Sequence, residues 1–253
     1  SSLDKGNNIP VESLQNHYRW LQLGVSLTPT IEYRVRNVFS LMLNTPIERV
    51  GVTTNNGIQQ VERQDERALF SPHLRLQATL SYSLKLDASA SYQESMGAHN
   101  NSYSGYVMNV YNSIHANSER MDHIAQQNYL VALRYDNTPK SLFSNIAISY
   151  RVVDRDLIES IRVNQQLIKV EQLPIPNTSK GFTASGYLSK RFDGILTLVS
   201  LGALYNHSTS EVVRQSTLSE IQADTWSSKI SASTRIAKSI LVEYAARGNR
   251  SRL

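Results

Sequence analysis

Residues 73–92 read HLRLQATLSYSLKLDASASY, and polarity switches at almost every step. The even positions from Leu74 to Tyr92 are Leu, Ala or Tyr, while the odd positions from His73 to Ser91 are all polar. A period of two is the signature of a β-strand, whose successive side chains leave on opposite faces. The reading of the whole chain turns on which face meets water and what covers the other.

Composition narrows the choice. The 253 residues suffice for one large domain or two small ones, and only 40% of them are hydrophobic. No sustained i, i+3, i+4, i+7 stripe marks a helix, and no apolar run approaches the roughly 20 residues of a membrane helix. The absence of cysteine excludes a disulfide scaffold and cysteine-based metal sites or nucleophiles. The opening SSLDKGNNIPVES has no charged segment followed by an apolar one, so a signal peptide is expected to have been removed or the chain to begin partway through a longer protein. The net charge is +5, but Lys and Arg are scattered, and the densest group is RGNRSR at residues 247–252. Without cations gathered on one face among aromatics, nucleic-acid binding is not expected.

The alternation recurs. LQLGVSLTPTIEYRV places Leu21, Leu23, Val25, Leu27, Pro29, Ile31, Tyr33 and Val35 on one face, and WSSKISASTRI opposes Trp226, Ile230, Ala232 and Ile236 to Ser227, Lys229, Ser231 and Arg235. The pattern predicts ten strands, at 17–35, 39–53, 68–82, 86–96, 123–135, 142–157, 178–192, 195–212, 221–236 and 240–252. Five connections are short: 36–38, 83–85, 136–141, Asp193–Gly194 and 237–239. Asp-Gly suits a two-residue hairpin turn, which would pair Phe192 with Ile195; three-residue turns would pair Val35 with Phe39 and Ile236 with Ile240. The alternate connections, 54–67, 97–122, 158–177 and 213–220, are long and polar.

Antiparallel sheets of water-soluble proteins also alternate, but their strands run to about five or six residues. Strands of ten or more suit a membrane barrel, which needs about 9–11 tilted residues per crossing. Aromatics near the strand ends fit interfacial girdles: Trp20, Tyr33, Phe39, Tyr82, Tyr135, Phe143, Phe192, Trp226 and Tyr244. The expected fold is therefore all-β, an antiparallel up-and-down transmembrane β-barrel. Its apolar face meets lipid, and its Ser-, Gln-, Asn- and Thr-rich face looks into a lumen.

The segment YDNTPKSLFSNIAISYRVVDRDLI, with its turn Tyr135–Ser141, resembles the barrel of TonB-dependent-receptor-like outer-membrane proteins of Bacteroidota. SYSGYVMNVYNSI, SKGFTASGYLSKRFDGILTLVSLGALYNHSTSE and WSSKISASTRIAKSILVEY follow the same rhythm, so the similarity spans most of residues 70–253. The resemblance implies a barrel of about 22 strands around a plug. It also implies TonB-dependent uptake of nutrient ligands across the bacterial outer membrane, with a TonB-type energy-coupling protein and a surface lipoprotein as partners. Within residues 1–253 no plug-like domain, no TonB-contact segment and no terminal aromatic is recognisable. The strand directions put both chain ends on the long-loop side, whereas complete bacterial barrels keep them in the periplasm. Residues 1–253 are accordingly expected to be one barrel segment, continued by strands from elsewhere.

Two other classes stay open. A plugless barrel could serve as a structural or partner-binding subunit of an envelope complex. An omptin-like outer-membrane protease would use Asp and His at the loop rim to activate water, and Asp122, His123, Asp154 and Asp156 are the residues for it, with His207 beside Ser208 a further pair. Solvated turn residues are the simpler explanation of these, so no enzyme activity is expected. The six histidines show no metal-ligand spacing and no calcium or phosphate loop occurs, so no cofactor or metal is expected.

Overall fold

The computed structural model describes residues 18–56, 61–97, 106–110, 112–116, 118, 121–164, 167–237 and 240–253. Among them the sole helical piece is a single 3-10 turn at Asp193–Ile195; nearly everything else is strand. In chain order the strands are β1 (Tyr18–Leu27), β2 (Thr30–Val35), β3 (Phe39–Asn44), β4 (Ile47–Asn56), β5 (Val61–Phe70), β6 (His73–Thr79), β7 (Leu84–Met96), β8 (Tyr106–Val110) and β9 (Ser113–Ala116). They continue as β10 (His123–Asn137), β11 (Leu142–Arg155), β12 (Ile158–Asn164), β13 (Leu167–Leu173), β14 (Asn177–Phe192), β15 (Thr197–Arg214), β16 (Thr217–Ala237) and β17 (Ile240–Arg252).

The main sheet runs β2-β3-β6-β7-β10-β11-β14-β15-β16-β17, each strand antiparallel to the next. A second sheet, β1-β4-β5, extends its first three strands. The divisions fall at Pro29, Pro46 and Pro72, and the registers set them side by side: Leu27, Ile47 and Phe70 align above, Thr30, Asn44 and His73 below. Proline has no N–H for the ladder, so each strand loses one donor at this level. The proline carbonyls still accept: Thr45 N–H donates to Pro29 O and Ser71 N–H to Pro46 O, both at 3.0 Å, and Tyr92 N–H to Pro72 O at 2.9 Å. The result is a seam across three strands.

Register carries one apolar face across the wall: Ala88, Val131, Ile148, Ala184, Tyr205 and Trp226 are successive cross-strand neighbours. These side chains are open to the surroundings although apolar, with Val131 52%, Ile148 48% and Ile230 51% exposed. Water would drive so broad an apolar surface into a second layer. Lipid needs none, and the sheet has none there.

Aromatics bound this face at two levels. Tyr129, Tyr150 and Phe182 are direct neighbours across β10, β11 and β14; Phe182 lies 6.2 Å from Tyr205, whose ring is 4.2 Å from that of Trp226. Toward the short turns, Tyr33 meets Phe39 edge-on at 6.4 Å, and the Lys190 ammonium sits 5.5 Å from the Phe192 ring. From Phe182 to Phe192, β14 covers about 33 Å along the strand at roughly 3.3 Å per residue. Tilted by about 45°, that gives a band about 23 Å tall, close to the apolar height of an outer-membrane barrel.

Above the seam the sheet gains a small buried core on its inner face. Val50, Val52 and Leu69 of the β1-β4-β5 ribbon are buried on its inner face, packed with Trp20, Met96 and Met121. Its outer face carries the Arg49–Glu66 ion pair at 2.6 Å, open to solvent. On β1 that same outer face is apolar and exposed, at Leu21, Leu23, Val25 and Leu27.

Several expectations need correction. Trp20 belongs to the small inner core rather than a girdle, and Phe143 faces Asp136 and Ser189 on the lumenal side of the sheet. The connection 54–67 is largely strand, and 213–220 shrinks to a two-residue turn at Gln215–Ser216, both with positive φ. Asp193–Gly194 is not a two-residue turn: Phe192 pairs with Thr197 around a 3-10 turn that ends on left-handed Leu196. The turn after β6 is Leu80–Ser83 rather than 83–85, and β17 starts with Ile240 opposite Ala237 across a bulge, with residues 238–239 outside the described set. Among the described residues no ladder joins β1 or β2 to β17, so the wall is open there.

Candidate functional site

The long connections build a cap over the lumenal face. β12 and β13 form a hairpin; β12 adds in parallel to β15 at Ser160–Val213 and Ile161–Arg214, and β13 adds in parallel to β9, which pairs with β8. Burial concentrates here, at Leu157 and Ile158 of the cap and Val153, Val212 and Val213 of the wall.

Polar fastenings hold the cap's edges. The Gln215 backbone N–H donates to Ile161 O at 3.1 Å and its side-chain amide to Val163 O at 3.0 Å. Asn177 Nδ2 donates to Leu157 O at 2.7 Å. Asp122 Oδ1 accepts the backbone N–H groups of Asp156 and Leu157, both at 3.2 Å. Burial raises the Asp122 carboxyl above its ordinary pKa, against the opposing pull of Arg155 and of those two N–H donors. A raised folded pKa means that the stability it contributes is complete at low pH and is lost as pH rises through that pKa. Asp122→Asn keeps an oxygen acceptor without the charge, and should leave the cap as resistant to limited proteolysis as the parent. Its protection should also lose the parent's decline with rising pH. Asp122→Ala strands two N–H donors and should loosen the cap by about 1–3 kcal/mol. Equal behaviour of Asn and Ala would show that the acceptor is unimportant.

Beneath the cap lies a cavity of about 840 Å³, lined on the wall side by Arg151, Arg155, Thr183, Asn206, Ser208 and Arg214 and roofed by Leu157, Ile158 and Ile161. A second, of about 750 Å³, lies toward the short turns and includes Arg34, Arg75, Gln77, Asp87 and Arg134; Leu130 lines both. Together they form a polar track down the inner wall.

The track is predominantly cationic, and its charges differ in partnering. Low on the wall, Arg75 and Gln77 share Asp87 at 2.8 and 2.7 Å, Arg134 pairs with Asp136 at 2.6 Å, and Arg34 pairs with Glu32. Under the cap, the Arg151 guanidinium donates to neutral Gln126 at 2.6 Å. Among the described residues no carboxylate stands within 4.0 Å of Arg151, Arg155, Arg214, Lys229 or Arg247. Periodicity alone does not single out these residues, because Arg151, Arg155 and Arg214 are brought together only by strand register and the cap.

Of the residues considered for hydrolysis, His123, Asp154 and Asp156 line one small cavity of about 240 Å³ with Asp122 bonded beside it, while His207 and Ser208 lie elsewhere on β15. Asp122 fastens the cap, Asp154 accepts the Thr178 hydroxyl at 2.7 Å, and the Asp156 backbone N–H is shared between Asp122 Oδ1 at 3.2 Å and His123 O at 3.3 Å. His207 and Ser208 lie on opposite faces of β15; His207 Nδ1 is 2.8 Å from Asp224 Oδ1, which also accepts the Tyr205 hydroxyl at 2.9 Å on the lipid-facing side.

No family model matches the chain, and no curated protein matches it in sequence. Its structure superposes on the outer membrane transporter YddB from Escherichia coli with a TM-score of 0.54 at 9% identity, covering 92% of this chain and 34% of that one. The two share the fold. The siderophore receptor PirA from Pseudomonas aeruginosa superposes with a TM-score of 0.46 at 11% identity, over 94% of this chain and 58% of that one. The chain thus spans about a third of the length of YddB and under two thirds of PirA. The architecture is that of an outer-membrane β-barrel, seen as an open wall of ten strands among the described residues.

Proposed function

We propose that the chain is part of the wall of an outer-membrane receptor that takes up nutrient solutes, driven by a TonB-type energy-coupling protein. The observation that carries this reading is the polar track beneath a fastened cap, on a sheet whose other face is apolar and open. The cap side faces out of the cell and the short turns face the periplasm. Single cysteines placed at Gln215 and Gly194 test the orientation. A membrane-impermeant thiol reagent on intact cells should label the first and reach the second only after the outer membrane is broken. Uptake should also collapse when a protonophore discharges the inner membrane. Labelling of Gly194 from outside, or uptake indifferent to the protonophore, would overturn the corresponding half of the reading.

A second reading is a barrel whose task is to hold a partner such as a surface lipoprotein. Leu21, Leu23, Val25 and Leu27 favour it: they form a highly exposed apolar stripe on β1, an edge strand above the seam. Pull-down from solubilised outer membrane separates the readings, because recovery of a stoichiometric lipoprotein without energised uptake supports the second alone.

A further inference from the structure

The cap roofs a chamber lined by Arg151, Arg155 and Arg214, none of which has a carboxylate within 4.0 Å among the described residues. Arg155 acts at longer range on Asp122, and Glu159 and Glu211 also line the chamber. Arg151 and Arg155 come from β11 and Arg214 from the end of β15. Cross-strand pairing places Arg155 opposite Asn177, and Arg214 opposite Ile161 of the cap, so these side chains arise from positions fixed by backbone ladders on several sides. Between them stand neutral hydrogen-bonding groups, with the Thr183 hydroxyl 2.9 Å from Asn206 Oδ1. Lower on the wall Arg34, Arg75 and Arg134 are paired with Glu32, Asp87 and Asp136, whereas Lys85, Lys229 and Arg247 have no carboxylate within 4.0 Å among the described residues.

We propose that the chamber beneath the cap binds a small multivalent oxyanion, through Arg151, Arg155 and Arg214. The proposal rests on the uptake reading for its physiological sense, but the chemistry is independent of it. Guanidinium presents its N–H donors in a planar fork that fits carboxylate or phosphate oxygens two at a time. A concave site with apolar walls focuses the field of its charges on the solute. The apolar roof of Leu157, Ile158 and Ile161 suits a ligand that carries a compact apolar frame between its oxyanion groups. The cations continue below this site: Lys229 and Arg247 face each other across β16 and β17, on the same lumenal side. A released anion therefore meets further positive charge as it moves along the wall.

The test is calorimetric titration of the full chain, folded in detergent micelles, with citrate and with tripolyphosphate as probes. Maltose and spermine serve as the neutral and cationic comparisons. Binding of one or both oxyanions is expected, with affinity falling as salt is raised. Preference between citrate and tripolyphosphate assigns carboxylate or phosphate chemistry. Arg151→Gln and Arg214→Gln should each weaken binding about tenfold or more, as loss of a charge-assisted hydrogen bond implies. The Lys variants at both positions retain the charge without the fork and should fall between. Arg250→Gln, on the opposite face of β17, should bind as the parent does. Binding of spermine or maltose in preference, no oxyanion binding by the parent, or oxyanion binding indifferent to the Gln substitutions while heat-modifiable gel mobility shows them folded, overturns the proposal. Oxyanion binding without energised uptake in cells retires the uptake reading and leaves the site standing. Energised uptake of a neutral solute does the reverse.

Discussion

Arginine at Ile148 should destabilise the protein in lipid by about 2–4 kcal/mol, which at the upper figure is close to a thousandfold in the folding equilibrium. Ile148 lies between Val131 and Ala184 in the middle of the apolar face, so a guanidinium there has neither water nor a counter-charge. Ser149→Arg, one residue along and turned to the lumen, should cost little. Leu76→Arg with Thr79→Arg, and Ala232→Arg with Ser231→Arg, repeat the comparison on β6 and β16. Urea titration of protein folded into phospholipid vesicles measures the difference. If both members of each pair lose stability equally, the sheet is buried on both faces and the membrane assignment fails.

The second large effect belongs to the cap. Ile158 is 2% exposed, and its truncation to Ala should cost about 2–5 kcal/mol, the range for emptying a well-packed aliphatic site. The loss should be local, because among the described residues the cap's ladder to β15 has two residue pairs and its other fastenings are individual hydrogen bonds involving Gln215, Asn177 and Asp122. Limited proteolysis should then cut within residues 159–173, while heat-modifiable mobility of the barrel strands is unchanged. Loss of the mobility shift together with the proteolytic protection would show that cap and wall unfold as one unit.

The fold was legible because period two is a local property. His73–Tyr92 shows its faces without reference to any other strand, and the turn at Arg36–Val38 pairs Val35 with Phe39 as its length requires. What escaped was whatever depends on register between distant strands. Tyr129, Tyr150, Phe182 and Tyr205 look like isolated aromatics in sequence, yet hydrogen-bonded pairing brings them to one level. Phe143 and Trp20 sit near strand ends as girdle residues should, but side-chain parity turns each inward. The polar residues of 54–67 and 213–220 suggested loops, although strands that leave the membrane need no apolar face toward the outside. The arginine chamber was hidden for the same reason as the girdle. Arg151 and Arg214 are 63 positions apart and become neighbours only through the β14 and β15 ladders and the cap.

The proline seam bears on how such a chain changes over generations. A one-residue slip anywhere in the main sheet would exchange the lipid and lumen faces of a strand, so length there is tightly held. Above Pro29, Pro46 and Pro72 the ribbon belongs to a separate ladder, and on β4 and β5 its outer face carries an open ion pair. Residues can be added or removed there in matched pairs at the hairpin end without moving any register below. The seam makes the ribbon an exchangeable cassette: it is free to diversify while the membrane wall keeps its dimensions.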